Sequence, residues 1–150
     1  MMNFTTKNEF DNFDFTELHV NEVEYTGETF RICIDDVGIL PTNSRNTDIR
    51  KMRANGLILS IFEANITEFI EEGYKIYDAD GNLLNTETDI VIMPSDYQKV
   101  FEYFVDCYAF EITKKDNEYT FVIDGNNERT YCIKITGSSD MQEWDKFLNP

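Results

Sequence analysis

Positive charge is what this chain has least of. Thirteen Lys and Arg stand against 29 Asp and Glu in 150 residues, a formal net charge of -16. That balance repels phosphate backbones and anionic membrane surfaces, so neither nucleic acid nor membrane is an expected partner. A basic protein is the partner class the charge favours, while ordinary acidic solubility is the plainer account of the same numbers. Histidine occurs once, at His19, which cannot make a metal site alone; with no G-x-S-x-G elbow, nothing points to an acyl-transfer triad. Cys33, Cys107 and Cys132 are widely spaced, form no C-x-x-C pair and sit among apolar residues, so buried free thiols are expected. Walker-type and dinucleotide-type glycine loops are missing. So are a basic-then-apolar leader and any apolar run able to span a bilayer, which makes a cytoplasmic protein without metal or cofactor the expectation. No repeat or low-complexity linker interrupts residues 1–150, and 41% hydrophobic with 14% aromatic content suits one domain with a real core.

What is present is mostly alternation. Leu18 and Val20, then Val23 and Tyr25, read as a strand that changes phase near Asn21 and Glu22, the mark of a bulge; Phe30, Ile32 and Ile34 return after the Thr26–Gly27 turn. Asp35 and Asp36 interrupt before Val37 and Ile39. Leu57 to Phe62 is short and continuously apolar, as a buried strand is. Residues 65–73 fit either a short helix or a strand, with a strand favoured by the hairpin that follows through Asp80, Gly81 and Asn82. Ile90 to Met93 reads as a short strand. Ala109 to Thr113, Tyr119 to Asp124 and Tyr131 to Thr136 read as a meander. One helix is expected from Ser95 to Tyr108, with Ser95 and Gln98 as a capping box and Tyr97, Val100, Phe101, Phe104, Val105 and Tyr108 on its dry face. Ser139 with Gln142, followed by Trp144 and Phe147, predicts a short C-terminal helix. The fold class is therefore α+β, mainly antiparallel sheet arranged as a sandwich or partly open barrel, with one packed amphipathic helix and a short C-terminal one.

Candidate sites come from charge and aromatics. Asp35, Asp36, Glu68, Glu71 and Glu72 are the carboxylates expected to face a basic protein; with acids in such excess no pair singles out a hydrolase, and Asp35 with Asp36 is the pair to inspect. Arg45, Arg50, Lys51 and Arg53 cluster in the least acidic stretch, where they suit an anion contact or balance the molecule's own acids. Twelve Phe and eight Tyr make an aromatic-lined pocket for a small ligand the alternative function. The Asp78–Asn82 stretch fails as an EF-hand, because Gly81 is fourth rather than sixth from Asp78 and Asp89, not Glu, is twelfth.

The run Phe13 to Ile34, F-D-F-T-E-L-H-V-N-E-V-E-Y-T-G-E-T-F-R-I-C-I, is similar to the opening hairpin of some small bacterial immunity-type proteins. The segment from Met52 to Phe62, the turn from Tyr77 to Gly81 and the late Trp144 continue that resemblance. Thr16 and Glu17 stand where such openings show His-Asp, and His19 is displaced. The resemblance implies a β-rich protein that neutralises a partner toxin by binding, without catalysis.

Overall fold

The alternating pattern becomes strands throughout the computed structural model, which describes residues 2–150. In chain order these are β1 (Phe4–Lys7), β2 (Phe13–Asp14), β3 (Leu18–Thr26), β4 (Thr29–Asp35), β5 (Val37–Ile39), β6 (Met52–Ala54), β7 (Leu57–Phe62), β8 (Asn65–Glu71), β9 (Tyr74–Tyr77), β10 (Leu83–Glu87), β11 (Ile90–Val91), β12 (Cys107–Lys115), β13 (Glu118–Asp124), β14 (Thr130–Thr136) and β15 (Ser139–Trp144). Ten of them form one antiparallel sheet in the order β1-β15-β7-β4-β3-β12-β13-β14-β8-β11, which does not close on itself. Strands β2, β5 and β6 make a small second sheet, and β9 pairs with β10 alone.

The large sheet folds over at its middle. β3 and β12 are joined only through Leu18–Val20 and Cys107–Ala109, and each carries a bulge beside the join, between Val20 and Glu22 and between Ala109 and Glu111. Bulges bend a strand and sharpen its twist, so the two halves turn to face one another. The Phe30 ring of β4 lies 5.1 Å from that of Phe121 on β13. Ile32, Ile34, Leu59 and Ile61 from one half and Ile123, Ile133 and Ile135 from the other are all buried, each contributing about 1.5–3 kcal/mol by leaving water. Gly137 lets the chain pass between the halves: a Cβ there would sit 2.3 Å from Ile61 Cγ2.

The expected helix is shorter than its apolar stripe. Helical turns run from Pro94 through Tyr97–Phe101 to Phe104, 11 residues in all. No side chain caps them, and Gln98 Nε2 donates instead to the Tyr25 carbonyl at 3.3 Å. The Asn126 side chain donates to the carbonyls of Glu102 and Val105, and its amide to that of Tyr103, so the helix end is satisfied from the β13–β14 turn. Asp106 then takes a left-handed φ of 55°, and Cys107 and Tyr108 start a strand rather than finishing a helix. Val100, Phe101 and Phe104 are buried as the stripe required, with Phe101 6.4 Å from Phe30 and 5.9 Å from Phe69, bridging the sheet halves.

The expected C-terminal helix is a strand, β15. Its inward residues are Asp140, Gln142 and Trp144; two of the three are polar, so the period of two is invisible to hydropathy, while Met141 and Trp144 mimic a period of three. The cysteines remain free, but only Cys107 is buried; Cys33 and Cys132 are half-buried. The stretch from Pro41 to Asn55 is a loop containing β6. No helix among the described residues is long and apolar enough to cross a membrane.

Candidate functional site

Strand register lines up one row of side chains across the outer face of the folded sheet. Asp35 opposes His19, His19 opposes Tyr108, Tyr108 opposes Asp124 and Asp124 opposes Thr130, across β4, β3, β12, β13 and β14. Directly opposed residues in antiparallel strands share a face, so these groups form one ledge. The Glu72 amide bonds the Thr130 carbonyl at 2.8 Å and brings that residue to the end of the row. Tyr108 stands at the centre, 61% exposed, with its ring 5.3 Å from the imidazole of His19.

His19 is held between two carboxylates. Asp106 Oδ1 lies 2.6 Å from Nε2 and Asp35 Oδ2 3.1 Å from Nδ1. The bond to Asp106 is the main reason the His19 pKa is raised, with Asp35 adding to it and partial burial opposing both. Burial acts to raise the Asp35 pKa, but the Gly56 amide at 2.8 Å, the Asn21 amide at 3.1 Å and His19 outweigh it, and the net shift is downward. Both imidazole nitrogens are thus engaged, leaving neither open to take a substrate proton. Of the thiols in the row's strands, Cys33 shares the outer face with Asp35 and has its pKa raised chiefly by burial, and the inward Cys107 is pushed up to about 12 by burial and sits 3.3 Å from the Phe104 carbonyl, so both stay protonated near neutral pH.

Beside Tyr108 the ledge opens into a hollow of about 560 Å³ between the start of β12 and the end of β13. Asp106, Asp124 and Glu128 line it with Asn126 and Thr130, and no Lys or Arg does. Counting His19 as a cation, the ledge and hollow together remain acidic.

The carboxylates expected from sequence do not form one face. Asp35 belongs to the ledge. Asp36, at a φ of 61°, turns away and pairs with Arg53 at 2.6 Å, so Asp35 and Asp36 do not converge as a hydrolase pair would. Glu68, Glu71 and Glu72 lie on or beside β8, separated from β4 by four strands. Glu71 is engaged by Arg129 at 3.2 Å and Tyr131 at 3.0 Å, and Glu68 by Lys134 at 3.6 Å; Glu72 alone of these three reaches the row. The basic stretch does not converge on a pocket either. Arg50 pairs with Asp48, Lys51 with Asp14 and Arg53 with Asp36, while Arg45 lies over the Phe4 ring at 5.3 Å. Sequence reasoning missed Asp106, Tyr108, Asp124 and Glu128, because the first two were absorbed into the expected helix and the others carry no local signal.

Two further features bear on chemistry. A groove of about 600 Å³ runs between Phe10–Thr16 and Phe110–Lys114, lined by Phe10, Phe13, Phe15 and Phe110. Behind it Asp140 is fully buried and accepts bonds from Tyr119 Oη at 2.5 Å, Lys114 Nζ at 3.2 Å and Gln142 Nε2 at 2.5 Å. Among the described residues, no three or more His, Cys, Asp or Glu side chains are grouped to hold a metal. No protein-family model matches the chain, and no curated protein or solved structure matches it either.

Proposed function

We propose that this is a non-catalytic, immunity-like interaction protein that binds a basic protein through the ledge from Asp35 to Thr130. The observation that carries the reading is Tyr108, a large exposed aromatic at the centre of a row and hollow bounded by Asp35, Asp106, Asp124 and Glu128. Interfaces concentrate their energy in such central aromatic anchors, and surrounding carboxylates steer a cationic partner toward them. The acidic balance of the whole chain and the resemblance of its opening hairpin to immunity-type proteins support the same class. The test is retention of proteins from lysate of the protein's own source, at low and then high salt, by wild type and by Tyr108→Ala with Asp124→Lys. A basic protein kept by wild type, released by salt and lost from the double variant is the expected result. Equal retention by both forms sinks the ledge as the binding surface.

A second reading, a small-ligand site, is favoured by the Phe-lined groove alone. Its volume lies within the range of ligand pockets, and Phe110, 55% exposed, forms its open wall. A melting-temperature rise with a lipid or metabolite panel, abolished by Phe110→Asp, is its test.

A further inference from the structure

The β9–β10 hairpin stands apart from both larger sheets, and together with the β11 segment it carries most of the large apolar residues that are exposed, the others being Ile49, Val105, Tyr108 and Phe110. Ile76, Tyr77, Leu83 and Leu84 are all exposed, continuing into Ile90, Val91 and Met93; β9 and β10 pair only with each other. An isolated two-stranded ribbon is marginal in water, so leaving it uncovered needs a reason. Its base is fixed. Gly73 donates to Asp89 Oδ1 at 2.7 Å, Arg129 lies over the Tyr74 ring at 5.1 Å and reaches Glu87 at 3.5 Å, and a Cβ on Gly73 would meet the Glu87 carbonyl.

Each face of this blade carries exposed apolar side chains beside polar ones, Lys75 and Thr86 on one face and Asn85 and Glu87 on the other. Tyr77 and Leu83 are register partners and share one face, whereas Ile76, opposite Asn85, takes the other. A flat surface covers one side of a ribbon only, while a cleft covers both. At the tip, Asp78 spends its carboxylate on the turn amides of Asp80 and Asn82, leaving the Asp80 carboxylate foremost. The blade carries Asp78, Asp80, Glu87 and Asp89 against Lys75. A second copy of this chain, at -16, is repelled by it, as is an anionic membrane.

We infer that the β9–β10 hairpin inserts into a cleft of the partner protein, with apolar walls against Ile76 on one side and Tyr77 and Leu83 on the other, and a cationic floor facing Asp80. The inference rests on the basic-partner reading and names the element that enters the partner. The four residues of β9 at about 3.3 Å per residue give the blade a reach of roughly 13 Å, enough for a groove but not a tunnel.

The photo-crosslinker p-benzoylphenylalanine, placed one at a time at Ile76, Tyr77 and Tyr108 of the full chain in lysate of its own source at low salt, provides the test, with adducts mapped by mass spectrometry. The expected result is that positions 76 and 77 label two separate segments of the same basic protein. Tyr77→Asp with Leu83→Asp then weakens that purified protein's binding by about tenfold or more. Labelling from position 108 with none from 76 and 77, labelling of a second copy of this chain or of lipid from the blade, or both blade positions labelling one segment overturns the insertion and leaves the ledge standing. Silence at all three positions removes both readings.

Discussion

Asp140 and Asp35 are both strand carboxylates held by a nitrogen base and by uncharged donors, yet their surroundings differ. The Asp140 side chain has no exposure, whereas Asp35 keeps 28% and is linked through His19 to Asp106, which is 85% exposed. The buried network ties β15 to β12 and β13, across the fold of the sheet, and every acceptor in it is committed. In the half-open one, Asp106 is bonded to His19 through one oxygen while its side chain otherwise faces solvent. Similar groups thus give cohesion where water is excluded, and the recognition role proposed above falls to the network that keeps contact with water.

The largest effect should come from the buried side of that comparison. Asp140→Ala leaves the Tyr119 hydroxyl and the Gln142 amide buried without their acceptor, and frees Lys114 from its partner. Breaking a buried pair from one side costs about 3–5 kcal/mol, a large fraction of the stability of a domain. The midpoint of urea unfolding should fall accordingly. Asp140→Asn, which keeps one acceptor oxygen, should cost less. A loss under about 1 kcal/mol for the alanine variant would show that Asp140 does not clasp the halves together and would dissolve the contrast with Asp35.

An intermediate effect, distinguishable by pH, belongs to His19. Its folded pKa is raised, so its contribution to stability is complete below the unfolded value near 6.5 and disappears as pH climbs through the higher folded value. For Asp35 the sign reverses: its pKa is lowered from 3.8, so its contribution is present above that value and fades as pH falls through the lower folded one. His19→Asn should therefore show a larger deficit in urea midpoint at about pH 5.5 than at about pH 8.5. Equal His19→Asn deficits at both pH values would remove the charged Asp35–His19–Asp106 bridge as a feature of the folded protein.

Most of the sheet was legible because its inward residues are apolar and alternate. Phe30, Ile32 and Ile34 announce β4, and the change of phase at Asn21 marks the bulge that helps bend the sheet. Legibility failed where burial and polarity part company. In β15 the inward set includes Asp140 and Gln142, which only Tyr119, Lys114 and Thr6, remote in sequence, make tolerable there. The helix was found but overrun, because Tyr108 fits its stripe and nothing local reveals that Asn126 ends it at Phe104. The ledge was the least legible part. Its members come from five strands and the turns beside them, and register, which sequence does not print, brings His19 between Asp35 and Asp106.

Tyr108 should give the smallest effect on stability and for that reason the clearest statement about recognition. Its side chain projects from β12 into solvent and makes one ring contact, with His19. Tyr108→Ala should shift unfolding by no more than about 0.5 kcal/mol, the usual range for exposed substitutions. At a central aromatic anchor the same change costs about 2 kcal/mol or more of binding energy. Stability unchanged and partner retention lost would separate the ledge from the clasp around Asp140, where the order is reversed. A Tyr108→Ala variant that unfolds readily would instead make the ring a structural brace over His19, and the distinction between a cohesive and a receptive carboxylate network would have to be abandoned.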